Sequence, residues 1–436
     1  MDELKERIDY AKSLDCVHCG LCLNSCPTYR ISGAEASSPR GRIHLMRSIA
    51  EGALPADEGV KEELDYCLLC RNCESVCPSG VQFGQLMEGA RDGAERAMPR
   101  TGFARLAREV GFGVLLRSRG ALRAASALGR LAQRSGALEL ATRVLGDGAG
   151  ALALAPAIPP ARERARPPAF TPARGERLGA VAFLEGCVMT EFYSRVNSAA
   201  IRALSSAGFD VHVPLAHMCC GSLHAHNGEL HGARELARET IAAFDAVVDE
   251  RGAPLPVIVD SAGCGSHMKE YHHLLAADIA WRERAQAFSR RVQDWTEWMT
   301  REPARSRVRS TLQAGAEARR GLRATWDDPC HLCHGQGVRR PPRELIEWMG
   351  VHHEPIEDPE ACCGSAGIYS LLRPADSQAV LAPRLAALAA TRAEVLLVGN
   401  PGCHMQWDGG VKRAGQATRV LHIAEAVDRA MAGEAI

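Results

Sequence analysis

Lysine is nearly missing from this chain of 436 residues: Lys5, Lys12, Lys61, Lys269 and Lys412 are the only five. Arginine supplies the remaining positive charge, and Lys+Arg at 52 balance Asp+Glu at 52. Without a basic excess there is no electrostatic footprint for nucleic acid, so that class of partner is set aside. Long apolar runs are missing too. The longest are broken by Arg or Pro, as in ALALAPAIPPARERAR, and none reaches the roughly 18 apolar residues of a spanning helix. The amino-terminal MDELKERIDYAKS is charged, has no apolar h-region, and reads as a helix rather than a secretory signal. The expectation is a cytoplasmic chain, at most resting on the inner face of the cell membrane. Also absent are G-x-G-x-x-G after a strand, a P-loop, G-x-S-x-G and H-E-x-x-H. No catalytic residue and no flavin or nicotinamide site is therefore expected here. What remains is an ordinary balance, 46% hydrophobic and 24% charged, which excludes wholesale disorder. The length suggests about three domains.

Cysteine is the residue in excess. Seventeen is an odd count, and without a secretory signal it argues for reduced thiols that bind metal rather than for disulfides. Eight of them form two identical runs. Cys16, Cys19, Cys22 and Cys26 precede Pro27, and Cys67, Cys70, Cys73 and Cys77 precede Pro78. Each reads C-x2-C-x2-C-x3-C-P, the bacterial ferredoxin run for a [4Fe-4S] cluster. Three thiolates two residues apart wrap one cube, while the fourth serves the other cluster. One cluster is thus expected on Cys16, Cys19, Cys22 and Cys77, the second on Cys67, Cys70, Cys73 and Cys26. A pair of zinc sites is the alternative, but zinc closes a site with ligands spaced as two separated pairs.

The 40 residues between the runs contain SSPRGRIHLMRSIAEG, which predicts a helix from near Pro39 with Ile43, Met46 and Ile49 on one face. This points to an α-helical ferredoxin type. Arg40 and Arg42 are placed to shield cluster charge or to dock an acidic partner, unless they are only a solvated helix start. From Phe103 to about Gly146 the text is again helical, apolar and rich in arginine. Such a stretch packs one domain on another or lies on a membrane as a basic amphipathic helix. Residues 155–177 are rich in Pro and Arg without periodicity and read as a linker.

The other nine cysteines fall in an internal repeat. Cys187 is followed by Cys219 and Cys220, then Cys264; Cys330 is followed by Cys362 and Cys363, then Cys403. The first interval is 32 residues in both copies, and Cys333 is an extra in the second. Each copy reads as an α/β unit. Short strands (VAFLEG, DVHVPL, PVIVD; RATWDD, VHHEPI, EVLLVG) run into the cysteines, which sit at strand ends and helix starts. Ligands collect there in α/β sheets, and backbone N–H groups there favour anions. The nearby His217, His331, His334 and His404 are ligands, proton carriers or simply satisfied loop residues.

The pattern C…CCG…GC resembles the cysteine-rich CCG domain of heterodisulfide reductase and its relatives. The order of two ferredoxin runs and two CCG domains resembles the iron–sulfur subunit of glycolate oxidase, through CVHCGLCLNSCPTYR, SPRGRIHLM, CLLCRNCESVCPSGV, SAGCGSHMKEY and DDPCHLCHGQG. Lactate-utilisation and anaerobic glycerol-3-phosphate dehydrogenase subunits share this layout. The full CCG motif closes with C-x-x-C, but here His267 and Gln406 stand at the closing positions, with His267 a candidate substitute ligand. Cys333 could stand in for the lost ligand of the second copy.

The resemblance implies an α-helical ferredoxin domain (1–100), a helical segment and linker (101–177), and two α/β CCG domains (178–300 and 320–430). It implies an electron-transfer subunit of a multisubunit glycolate or other 2-hydroxyacid dehydrogenase. Two [4Fe-4S] clusters are expected, and one more on Cys187, Cys219, Cys220, Cys264, Cys330, Cys362, Cys363 and Cys403 if the CCG half binds metal. The implied partners are FAD-containing dehydrogenase subunits and a quinone or other acceptor, with peripheral membrane contact. The alternatives are a lactate-utilisation or glycerol-3-phosphate dehydrogenase electron-transfer subunit, and a heterodisulfide-reductase-like enzyme with its own active-site cluster.

Overall fold

The computed structural model describes residues 2–145, 157–214 and 219–436; His217 lies outside them. Among the described residues no strand precedes Phe170, so the first part is helical. The expected helix runs from Pro39 to Ala50. Ser38 caps it, its Oγ accepting from the Gly41 N–H at 3.0 Å, and Pro39 fills the first position, where no N–H is needed. Ile43, Met46 and Ile49 all turn inward, against Leu64, Leu86 and Met87. Helices Asp2–Arg7 and Phe83–Ala97 touch through glycine: a Cβ on Gly93 would come within 2.7 Å of the Leu4 Cα.

Two parallel-rich sheets follow. The first is built from β1 (Phe170–Thr171), β2 (Gly179–Phe183), β3 (Phe209–His212), β4 (Val257–Val259) and β5 (Val292–Asp294). The second is built from β6 (Arg323–Trp326), β7 (His352–His353), β8 (Val395–Val398) and β9 (Arg419–His422). Their orders are β1-β3-β2-β4-β5 and β7-β6-β8-β9, so after the antiparallel β1 is set aside the two copies have one topology. The first strand of each copy lies between its second and third. The strand order reverses there, and a crevice opens at the carboxyl ends.

The copies pack together through one core. Val181, Phe183, Phe209 and Trp295 of the first meet Trp326, Leu345, Leu397 and Leu421 of the second. Helices Ser194–Ser206 and Ile423–Met431 are joined by Arg195–Glu425 and Arg202–Asp428 ion pairs. The ends of β4 and β8 meet directly: the Gly263 N–H donates to Asn400 Oδ1 at 3.0 Å.

Three details differ from the sequence expectation. The described part of the linker is held down, with β1 pairing against β3 and the Arg164–Glu191 ion pair buried at 2.7 Å. The VHHEPI strand is two residues long, and β5 and β9 extend the sheets. The helical stretch after Phe103 contains a π-helical segment, Glu109–Leu115, and packs on the first repeat.

Candidate functional site

The two ferredoxin-type runs fold alike. In the first, His18 (φ 56°) and Gly20 (φ 85°) flank Cys19; in the second, Leu69 (φ 52°) and Arg71 (φ 63°) flank Cys70. A left-handed Leu is strained, and a left-handed residue at the matching position, His18, marks a loop held for a purpose. Alternating left-handed residues turn successive N–H groups inward, making a concavity suited to anions and Fe–S centres. The Leu69 N–H reaches the Cys67 sulfur at 3.3 Å.

Cys26 joins the second run rather than its own: Cys26, Cys67, Cys70 and Cys73 line one small cavity, together with Thr28, Arg42 and Phe83. Burial pushes the Cys73 thiol far up, and the neighbouring Cys70, Cys67 and Cys26 push it further; Cys26 is raised by burial as well. Four buried sulfurs can ionise together only around a cation, so the donor set fits a thiolate-ligated metal centre. Cys16, Cys22 and Cys77 pack, partly buried, against the same core, with Cys19 exposed.

Arg42 is fully buried, which rules it out for docking an acidic partner. It donates to Thr28 Oγ1 at 3.1 Å, the Ser37 carbonyl at 2.6 Å and the Glu63 carbonyl at 2.7 Å, and its charge favours a thiolate at Cys26. Arg40 is held by Glu35 and by the His18 carbonyl. Arg47 donates to the Cys16 carbonyl at 2.9 Å. No sequence pattern marks Arg42 or Arg47 as different from the other arginines.

All eight canonical cysteines of the repeat line a single cavity of about 720 Å³, formed where the two copies face each other. Topology places them there. Cys187 and Cys330 open helices just after β2 and β6, and Cys264 and Cys403 sit in the first turn of the helices after β4 and β8. In each copy the Gly N–H of the Cys-Cys-Gly turn points at the first sulfur, Gly221 to Cys219 at 3.5 Å and Gly364 to Cys362 at 3.4 Å. Gly364 has φ +87°, and a Cβ there would meet the Ser377 carbonyl at 2.5 Å, so this close turn needs glycine.

The copies pair their cysteines alike. In the first, Cys187 bonds Cys219 at 3.8 Å and Cys220 packs with Cys264. In the second, Cys330 packs with Cys362 and Cys363 packs with Cys403. The ferredoxin half closes the cavity with Cys67, Leu68 and Leu69, and Cys70 packs with Cys362 in one buried cluster.

The closing residues do not replace cysteine. Gln406 lines the cavity but donates to Ser377 Oγ at 2.9 Å. His267 is buried against His226 and Tyr271, near Glu88, away from the cysteines. Cys333 also turns away, its sulfur toward the carbonyls of Asp328 and Cys330. Of the other histidines, His331 Nδ1 is 3.7 Å from the Cys330 sulfur and its ring stacks on His226. His334 is bound by Ser75 Oγ and the Glu360 carbonyl, and His404 stacks on Tyr193 at 4.5 Å.

Comparison with known proteins agrees with this division. The 4Fe-4S dicluster domain matches residues 12–81, and the cysteine-rich domain matches twice, over 181–269 and 324–408. The chain is 37% identical to the probable glycolate oxidase iron-sulfur subunit of Bacillus subtilis (strain 168), covering 97% of this chain and 95% of that one. It is 30% identical to the glycolate oxidase iron-sulfur subunit of Escherichia coli (strain K12), covering 96% and 94%. It is 26% identical to lactate utilization protein A of Geobacillus thermodenitrificans (strain NG80-2), over 57% of this chain and 98% of that protein.

Proposed function

Because the chain belongs to the family of glycolate oxidase iron–sulfur subunits, we propose that it carries electrons from a flavoprotein dehydrogenase of glycolate, or a closely related 2-hydroxyacid, toward a quinone or another acceptor. The observation that carries this reading is the contact between the two cysteine systems: the buried ferredoxin-type set borders the cavity lined by the repeat cysteines.

We assign Cys16, Cys19, Cys22 and Cys77 to one [4Fe-4S] cluster, and Cys67, Cys70, Cys73 and Cys26 to the other. When bound, such clusters accept and release single electrons. The chain's residues set the direction of traffic. Cys19 is exposed, as are Leu14, Val17 and Leu21 close to it along the chain, and apolar surface of this kind is where a donor protein can approach. Cys26, Cys67, Cys70 and Cys73 are buried on the side of the cavity. Arg42 and Arg91 brace that set: Arg91 donates to the carbonyls of Leu64 and Cys67 and, across to the first repeat, of His226.

In the cavity we assign one further cluster to the second repeat, where Cys330, Cys362, Cys363 and Cys403 line the wall and Cys362 packs with Cys70 of the ferredoxin-type half. Apolar residues including Met189, Phe192, Leu223 and Met405 line the rest, a setting for a small apolar acceptor. We place the chain in the cytoplasm at the inner face of the membrane, where a quinone is available.

Anaerobic mixing tests the reading. Glycolate plus the partner flavoprotein should bleach the visible absorption of this chain within seconds, whereas glycolate alone should leave it unchanged. Oxidation of glycolate by the pure chain, or no reduction in the presence of the flavoprotein, would overturn it.

A further inference from the structure

The helices between residues 102 and 145 have two faces of opposite character. The inner face is fastened over the cysteines of the first repeat. Leu116 and Leu122 pack on Cys187, Cys219 and Leu236, and the Phe112 carbonyl bonds His224 Nε2 at 3.0 Å. Ion pairs hold it there: Arg108 with Glu229, Arg117 with Glu235, and Arg119 with Glu185.

The outer face gains nothing from this packing. Phe103, Leu106, Val110 and Val114 recur at helical spacing through the first helix and its π-helical continuation, and all are exposed. Leu128 and Leu131 are exposed as well on helix Arg119–Arg134, and Leu140 and Val144 on helix Ala137–Leu145. Phe103 is 82% exposed, Leu128 68%, Leu131 64% and Val144 75%. A soluble monomer scatters such residues singly; their recurrence at helical spacing along consecutive helices marks a surface that something covers.

The charge says what. Residues 102–145 hold eight arginines and two glutamates, with no lysine or aspartate, in a chain whose net charge is zero. Arg105 and Arg143 neutralise Glu109 and Glu139, while Arg123 and Arg134 are exposed beside Leu128 and Leu131 with no ion pair among the described residues. Apolar stripes edged by arginine fit the boundary between phosphate headgroups and acyl chains. Among the described residues no helix is long and apolar enough to cross a membrane.

We propose that this face is a docking surface for an anionic phospholipid bilayer, entered by Phe103, Leu128, Leu131 and Val144, with Arg123 and Arg134 at the phosphates. The proposal rests on the peripheral placement argued above and deepens it, because the same helices roof Cys187 and Cys219. The cysteine cavity would then lie beside the lipid in which an apolar acceptor dissolves.

Sedimentation of the full, iron-loaded chain with vesicles tests it. The chain should co-sediment with phosphatidylglycerol–phosphatidylcholine vesicles, release as salt rises, and bind pure phosphatidylcholine weakly. Arg123→Gln with Arg134→Gln should weaken binding about 25-fold at low salt, near fivefold for each arginine. Leu128→Glu with Leu131→Glu should abolish it, with iron content and flavoprotein-dependent bleaching unchanged. Vesicle binding that both double variants retain would overturn this surface and leave the electron-transfer reading standing. Wild-type chain that ignores anionic vesicles would overturn lipid as the occupant. If Leu128→Glu with Leu131→Glu then broke a complex with the flavoprotein, the stripe would be a protein interface instead.

Discussion

Cys362, in the second repeat, packs with Cys70, in the second ferredoxin-type run, inside one buried cluster, although 292 positions separate them in sequence. The contact joins the two cysteine systems, and Leu68, Tyr369 and Val380 complete the cluster. Cys219 holds the equivalent place in the first repeat, yet its partner is Cys187.

Hydrogen bonds to ligand sulfur tune the potential of an iron–sulfur centre. In protein loaded with the two ferredoxin-type clusters alone, Cys362→Ala should lower the midpoint potential of the centre on Cys70. A net interaction of about 1 kcal/mol corresponds to roughly 40 mV for one electron. Cys219→Ala should leave that midpoint in place. Redox titration followed by paramagnetic resonance reads both, and equal shifts in the two variants would contradict the asymmetry.

Arg42 is the second place where a prediction is sharp. Removing its guanidinium takes the Arg42 bond from the Glu63 carbonyl and leaves Thr28 Oγ1 and the Ser37 carbonyl with each other as partner, all in a buried place. Arg42→Ala should destabilise the helical half by about 3 kcal/mol. It should also lose iron preferentially from the centre that includes Cys26. Arg40→Ala, at the surface, should change neither by more than about 0.5 kcal/mol or a tenth of the iron. Thermal unfolding and iron analysis of the two variants provide the check.

The contrast between Arg40 and Arg42 shows how far the sequence could be read. Spacing is a local property, so the two cysteine runs, the helix from Pro39 and the repeat at 32 residues were all legible. Partners set by long-range packing were not. Nothing near Arg42 tells that its side chain turns inward. Nothing near Cys187 or Cys330 tells that both copies open on one cavity, which depends on contacts such as Gly263 with Asn400. The closing His267 illustrates the same limit. Its place in the motif suggests a ligand, but its helix turns it toward His226 and Glu88. Short strands such as β7 carry too few residues for a period to show.

Those buried histidines predict a pH dependence. Burial pushes His226 down to about 3 and His267 to about 4, from an ordinary value near 6.5. Between those values and 6.5 the unfolded chain binds protons that the folded chain does not. Their contribution is therefore complete above pH 6.5 and is lost as pH falls toward 4, by up to about 1.4 kcal/mol per pH unit for each histidine. Glu88, bonded to His226 at 2.8 Å, opposes them: burial raises it, so its own contribution is lost as pH rises through the raised value. The His267 Nε2 has no partner, so His267→Phe removes the titration at little cost in bonding. Denaturant midpoints measured from pH 7.5 to 5 should fall less steeply in that variant than in wild type. Parallel slopes would show that His267 is not held neutral.

The last prediction concerns the iron of the repeat. Cys363 and Cys403 pack in one buried cluster, as Cys220 and Cys264 do in the first copy. A thiolate-held centre needs its sulfurs close enough to be ionised around one cation, and in the second copy Cys362 also packs with Cys70, beside the ferredoxin-type half. Anaerobically prepared protein should therefore carry about twelve iron, eight from the ferredoxin-type half and four from the second repeat. Cys363→Ser with Cys403→Ser should bring the count to about eight and remove a paramagnetic signal distinct from the ferredoxin-type pair. Cys220→Ser with Cys264→Ser should leave about twelve. Eight iron in wild type, with no change in either variant, would make the cavity a chamber of reduced thiols. Its role would then be to dock partners around the centre on Cys70.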